Sequence, residues 1–292
     1  MWAYIKHKSQ GKVDRNDSKT WLNDIWPRDI CRNGGFMGRF PYMKRINVAK
    51  ELIPEQPQAW KNRENPLVYE AFANVMANKK LWVSIDRYGV MRPTEIGQEI
   101  VGSKDETLQE DWATKKDWLH WDLSPFHYAT SAAGFAPRDV PKDKLAESYG
   151  SRRVQGLITL TDCKSINGGF HCIPGFHGKR FEQWGKDNAK SYGSDKRVYN
   201  RNFVEVPDDD PMRKECTQVP MRERSLLIWD SQLPHGNFPN HSKQFRMVHY
   251  IKMIPADDPR EFQPVFHYTK ADPKEWFGDK YTPSPLGVRT DF

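Results

Sequence analysis

Six short runs of strand-forming residues, separated by turn residues and long polar connections, restrict the fold of this chain more than any other feature. They are L-W-V-S-I-D (81–86), W-L-H-W-D-L (118–123), V-Q-G-L-I-T-L-T (154–161), G-F-H-C-I (169–173), S-L-L-I-W-D (225–230) and F-R-M-V-H-Y-I-K-M (245–253). Such runs, rich in β-branched and aromatic residues, read as strands. Short strands joined by long polar segments suit a sandwich or barrel, and the jelly roll accommodates this spacing. The expected class is mainly β with helical elaborations.

One helix is legible ahead of the six strand-like runs. Asn65 suits an N-cap, Pro66 the first helical position, and Leu67, Val68, Phe72, Val75 and Met76 form an apolar stripe, so a helix ending near Asn78 is expected. Residues 1 to 65 otherwise read as irregular, with Gly34-Gly35, several prolines and a short helix near Ile46 to Leu52. Segments 124–153 and 178–219 read as inserted loops, long enough to be lids, binding segments or decorated surface. The second, with Asp208-Asp209-Asp210 and many lysines and arginines, suits a solvated surface as well as a lid. The expectation is a single domain over 1–292: N-terminal support to residue 79, a core at 80–255, and a tail at 256–292 packing on it.

The chain has a mean hydropathy of −0.83 and no apolar run long enough to span a bilayer as a helix. Its first residues, M-W-A-Y-I-K-H-K-S-Q, lack the apolar segment of a secretory signal, so a cytoplasmic location is expected. Cys31, Cys163, Cys172 and Cys216 are widely spaced without a C-x-x-C pair and read as reduced thiols. The net charge of +7 is scattered along the chain, which permits an anionic partner but is ordinarily a solvated surface.

The second of the six runs carries a chemical signal. In W-L-H-W-D-L, alternation puts His120 and Asp122 on one face and Leu119, Trp121 and Leu123 on the other. Imidazole nitrogen and carboxylate oxygen two residues apart form a rigid ligand platform, and two histidines with one carboxylate suit iron(II). With nine histidines and 38 acidic residues, one H-x-[DE] arises by chance, so a third ligand is needed. His235, in S-Q-L-P-H-G-N, follows a strand and is flanked by Pro234 and Gly236, which suits a ligand at a barrel mouth. His127, His171 and His177 remain rivals without a supporting pattern. Arg246 shares a strand face with Val248 and Tyr250; if buried it needs an anionic partner, either a protein carboxylate or a bound organic acid.

Together, H-x-D on one strand, His235 and then Arg246 resemble the iron(II)- and 2-oxoglutarate-dependent dioxygenases, and within them the phytanoyl-CoA dioxygenase-like family. N-G-G-F-H-C-I-P-G-F-H (167–177) is similar to that family's glycine-rich strand-turn, with Phe176 where a small hydroxyl residue is usual, a change expected to alter the pocket wall. The resemblance covers residues 80 to 255. It implies a double-stranded β-helix, the cupin-like jelly roll, with His120, Asp122 and His235 binding Fe(II) and acting as the catalytic centre. It implies that Arg246 holds the 5-carboxylate of 2-oxoglutarate, with Asn237 as a second polar contact and Gln155, Leu157, Trp82 and Ser84 around the co-substrate. O2 would be the oxidant and ascorbate a reductant. Halogenating relatives lack the carboxylate ligand; Asp122 is intact, so hydroxylation or a related C–H oxidation of a small organic substrate is implied. The alternative is a protein or nucleic-acid hydroxylase or demethylase, for which Arg152, Arg153 and the lysines of 178–197 would line an approach.

Overall fold

The computed structural model of the chain describes residues 1–28, 30, 36–37, 58–83, 88–95, 112–114, 118–126, 153–193 and 203–255. Its body is a pair of antiparallel five-stranded sheets. The first sheet is ordered β1 (Phe36–Met37), β3 (Tyr88–Met91), β11 (Arg246–Ile251), β5 (Val154–Thr159) and β9 (Leu226–Asp230). The second is ordered β7 (Val204–Glu205), β4 (His120–Trp121), β10 (His235–Phe238), β6 (Gly169–Cys172) and β8 (Thr217–Gln218). From β3 to β6, and again from β8 to β11, consecutive strands alternate between the sheets. That winding is the jelly roll, in its double-stranded β-helix form. A separate two-stranded ladder pairs β2 (Leu81–Val83) with β12 (Met253–Pro255).

Alternation along the central strands divides the apolar residues into layers. Leu157, Val248 and Trp229 of the first sheet meet Phe170 and Cys172 of the second, forming the core between them. Among the described residues four α-helices lie outside the sheets, in sequence order: α1 (Trp2–Lys8), α2 (Gln58–Arg63), α3 (Pro66–Met76) and α4 (Lys179–Gly193). On the outer face of the first sheet, Val68 and Phe72 of α3 cover Val154, Ile251 and Met253. Beside them Tyr4, Ile5, Trp21 and Trp26 pack on Val90 and Met247. Phe245 is ringed there by Trp2, Trp21 and Trp26 at centroid distances of 4.7, 4.6 and 6.0 Å. The outer face of the second sheet is covered by Phe181 of α4 together with Phe176 and Met212, which pack on Leu119, Trp121 and Leu123.

Helix α3 forms as its sequence predicts. The Asn65 side chain accepts the Leu67 N–H at 2.9 Å, Pro66 occupies the first turn, and Ala77 ends the helix in a left-handed conformation, with φ of 52°. The apolar stripe is narrower than expected. Val68 and Phe72, one turn apart, are buried, whereas Leu67, on a different side of the helix, is 75% exposed and Val75, in the last turn of the buried face, is 38% exposed.

Several strand expectations are corrected. Of the run 81–86, Leu81–Val83 form a strand, which pairs with β12 outside the two main sheets, and 84–86 lie outside the described residues. The strand beside β11 is instead Tyr88–Met91, in which Gly89 reads as a turn residue. Its glycine has a packing cause: a Cβ at that position would lie 2.8 Å from Cγ2 of Val248. The run 118–123 is paired only at His120–Trp121. Segment 178–219 is not a loop throughout, since it holds α4 and strands β7 and β8, whose apolar residues are needed to cover and extend the second sheet. The expected helix at 46–52, most of 124–153 and the tail 256–292 lie outside the described residues.

Phe72 is fully buried, and Gly156 beneath it has no room for a side chain: a Cβ there would stand 2.8 Å from the Phe72 ring and 2.9 Å from the Leu227 carbonyl oxygen. Phe72→Ala is therefore expected to destabilise the protein by about 3–5 kcal/mol in denaturant unfolding, against less than about 0.5 kcal/mol for Leu67→Ala. Equal effects would mean that α3 does not dock through this face.

Candidate active site

The site begins with register. His235 pairs directly with His120 across β10 and β4, so the two rings share a face and stand 4.6 Å apart. Asp122, just beyond β4, returns to the same face by alternation. Its two carboxylate oxygens lie 3.6 Å from Nε2 of His120 and 3.8 Å from Nε2 of His235. One ligand atom from each of the three residues falls within 4.8 Å of the others, the only such group among the described residues. The remaining residues of W-L-H-W-D-L behave as alternation requires, with Leu119, Trp121 and Leu123 buried on the opposite face.

Each histidine is held by its own backbone. Nδ1 of His120 lies 3.0 Å from the Trp118 carbonyl oxygen, and Nδ1 of His235 lies 3.0 Å from that of Leu233. A carbonyl only accepts, so Nδ1–H donates in both rings and Nε2 is presented to the site with its lone pair. Burial, then the neighbouring His120, push the pKa of His235 down to about 3, which keeps that ring neutral. His120 is flanked by Trp118 and Phe203 at centroid distances of 4.7 and 4.5 Å. Burial favours the neutral form of Asp122, but the Lys252 ammonium, followed by the contact with His120, outweighs it and holds the carboxyl well below the usual range. Gln155 Nε2 and Lys252 Nζ both donate to the Oδ2 of Asp122, at 2.9 and 3.2 Å. The other oxygen is left to face His120.

A second polar centre lies deeper between the sheets. Arg246 is fully buried, yet among the described residues it meets no carboxylate. Its Nη2 donates to Asn237 Oδ1 at 2.9 Å, Nε to Cys163 Sγ at 3.3 Å and Nη1 to Met91 Sδ at 3.6 Å. One neutral oxygen and two weak sulfur acceptors leave a buried guanidinium undercompensated, which is the condition for binding an anion. Asn237 connects the two centres: it sits two residues beyond His235 on the same face of β10, about 7 Å along the strand.

The other expected residues divide. Gln155 reaches the site through Asp122, and its Oε1 is buried without a partner. Leu157 is fully buried among Phe170, Trp229 and Val248. Trp82 lies in β2, with its side chain outside the described set, as Ser84 is altogether. Phe176 does not line this site; it packs behind the second sheet, with its ring 5.8 Å from Trp121. His235 is not in a loop after a strand but begins β10 itself, which is what locks it opposite His120. Of the rival histidines, His171 pairs with Gly236 and so faces the other side of the sheet, His177 is exposed, and His127 lies outside the described residues. Lys252, Trp118 and Phe203 were not anticipated. Lys252 had a signal, the same two-residue period as Arg246, Val248 and Tyr250; Phe203 had none, because it comes to His120 from a distant segment.

The model of the phytanoyl-CoA dioxygenase family matches residues 45–248. A "Putative phytanoyl-CoA dioxygenase" of Dictyostelium discoideum is 25% identical over 260 residues, which are 83% of this chain and 64% of that protein, so the chain spans less than two thirds of this relative's length. Among solved structures, the chain is similar to the non-haem α-ketoglutarate-dependent epimerase SnoN from nogalamycin biosynthesis, at 12% identity and a TM-score of 0.36 over 70% of this chain and 60% of that one. It is similar also to EvdO2 from Micromonospora carbonacea var. aurantiaca complexed with 2-oxoglutarate, at 12% identity and a TM-score of 0.37 over 80% and 72%. The family match runs through the jelly-roll strands and takes in His120, Asp122, His235 and Arg246, and by it this chain belongs to the phytanoyl-CoA dioxygenase family.

Proposed function

We propose that this protein is an Fe(II)- and 2-oxoglutarate-dependent oxygenase that hydroxylates, or otherwise oxidises, a C–H bond of a small organic substrate. The observation that carries the reading is a buried arginine that meets no carboxylate among the described residues, one asparagine away from a clustered His-Asp-His. The residues fit both groups. Two Nε2 atoms and one carboxylate oxygen are the donor set of a facial iron site, and three donors leave positions for co-substrate and oxygen. Arg246 supplies the planar, always-charged fork that suits a carboxylate, in a pocket where the charge needs one.

Within this reading His120, Asp122 and His235 hold the metal. Arg246 holds the distal carboxylate of 2-oxoglutarate with Asn237 beside it, and Gln155 holds Asp122 in place. When bound, iron and 2-oxoglutarate supply the oxidising chemistry, in which O2 is consumed, 2-oxoglutarate becomes succinate and CO2, and a substrate C–H bond is oxidised. The chain's own part is positional. The Trp118 and Leu233 carbonyls fix the ring orientations, and the inter-sheet core of Leu157, Phe170, Trp229 and Val248 keeps water from the deep end of the site. The intact Asp122 carboxylate favours oxygenation over halogenation.

A small substrate is preferred over a macromolecule on one observation. Lys179, Lys186 and Lys190 of the basic segment lie on α4, which covers the outer face of the second sheet, opposite the face that carries the histidines.

Three outcomes test the reading. Arg246→Ala is expected to raise the concentration of 2-oxoglutarate needed for succinate formation at least about a hundredfold, with Fe(II) or Co(II) affinity little changed; equal loss of both would remove its role. Asn237→Asp places a carboxylate against the guanidinium, and competition between it and the co-substrate is expected to weaken 2-oxoglutarate binding about tenfold or more in equilibrium titration. His235→Ala is expected to abolish stoichiometric Co(II) binding, read from its visible absorption, and retained binding would refute the triad.

A further inference from the structure

Met91 stands directly opposite Arg246 in the β3–β11 ladder. Residues paired in an antiparallel ladder share a face, so the thioether and the guanidinium meet side by side. Sδ of Met91 accepts from Nη1 of Arg246 at 3.6 Å, and both residues are buried, at 2% and 0% exposure. Gly89 gives the sulfur its place. The Met91 side chain folds back over that glycine, with Cε and Sδ 2.9 and 3.3 Å from where a Cβ would stand.

Each terminal nitrogen of a guanidinium carries two N–H groups and accepts nothing. In Arg246, Nη2 commits one of them to Asn237 and Nη1 commits one to Met91. Thioether sulfur is a weak acceptor, so Nη1 is oriented without being strongly claimed, and an arriving carboxylate meets little competition for it. That balance depends on the oxidation state of the sulfur. A sulfoxide oxygen on Sδ is a strong acceptor, on a side chain already within reach of Nη1. It would offer the buried guanidinium an oxygen from the protein itself, at a nitrogen that a co-substrate carboxylate would use.

We propose that Met91 is a redox-sensitive modification site: hydrogen peroxide converts its thioether to the sulfoxide, whose oxygen engages Nη1 of Arg246 and lowers the affinity for 2-oxoglutarate. The inference rests on the oxygenase reading and concerns the regulation of that same site. In the step, a sulfur lone pair attacks one peroxide oxygen and the S–O bond forms as the O–O bond breaks. The leaving hydroxide takes the proton of the attacked oxygen and departs as water, so sulfur loses the two electrons that peroxide gains. Any opening that brings 2-oxoglutarate to Arg246 admits the smaller peroxide to Met91, and bound 2-oxoglutarate closes that approach.

The test uses the full chain loaded with Zn(II), which has no redox chemistry of its own. The protein is treated with hydrogen peroxide, then with a thiol reductant that reverses sulfenic acids and disulfides but leaves a sulfoxide, and both reagents are removed. Met91 is followed by peptide mass, 2-oxoglutarate affinity by calorimetry and stability by thermal unfolding, so no turnover is required. Oxidation of Met91 is expected to weaken 2-oxoglutarate binding at least about tenfold with Zn(II) affinity unchanged, and saturating 2-oxoglutarate during treatment is expected to protect the residue. Met91→Gln, whose amide oxygen stands where the sulfoxide oxygen would, is expected to reproduce the weaker binding without peroxide and to keep or raise the unfolding midpoint of the co-substrate-free protein. Met91→Leu carries no sulfur, and its affinity is expected to change by less than about twofold on treatment. Met91 escaping oxidation while other methionines gain oxygen, oxidised protein that binds 2-oxoglutarate as before, or Met91→Leu losing affinity to peroxide as the unsubstituted protein does, would each overturn the proposal. So would a fall in both 2-oxoglutarate affinity and unfolding midpoint in Met91→Gln and in the oxidised protein, which is the mark of lost packing. If the untreated protein binds no 2-oxoglutarate with either Zn(II) or anaerobic Fe(II), the oxygenase reading itself fails, and this inference with it.

Discussion

The direct pairing of His235 with His120 across β10 and β4 is the constraint on which the rest of the site depends. Side chains alternate at every residue, so a slip of one position in this ladder would turn one of the two imidazoles to the outer face and bring Gly236 or Trp121 inward in its place. The register is enforced from both directions. On the other edge of β10, Phe170 and Cys172 pair with Asn237 and His235, and on the outer side Trp121 is locked under α4 and its neighbours. The apolar layers therefore do more than stabilise: they forbid the shifted register in which the metal site would not exist.

From that register the two polar centres follow. Asn237 must share the face of His235, and the facing sheet brings Arg246 to it at 2.9 Å. A buried guanidinium satisfied by an amide and two sulfurs is a costly arrangement unless an anion completes it.

How far the sequence was legible depended on whether the signal was local. Strand alternation in W-L-H-W-D-L assigned all five side chains from Leu119 to Leu123 to their observed faces, and the Asn65-Pro66 cap located α3. Tyr88–Met91 was missed because Gly89, read locally, is a turn residue; only Val248 packed above it explains the glycine. Phe176 was expected in the pocket wall because it stands where the resembled family's motif has a small hydroxyl residue. It lies behind the sheet because the chain turns after β6, carrying that residue over the outer face toward Trp121.

By itself the sequence determined the ligand types, the alternation that puts His120 with Asp122 and Arg246 with Val248 and Tyr250, and the jelly-roll class, all of which depend on neighbours a few residues apart. The tertiary structure decided which histidine completes the group, that Arg246 meets no carboxylate among the described residues, that Lys252 reaches Asp122 and that Phe203 lies against His120. Those facts arise between strands far apart in the chain, where hydrogen-bond register and the packing of one sheet on the other set every distance. W-L-H-W-D-L supplies a histidine and an aspartate on one face; the β4–β10 ladder supplies their partner.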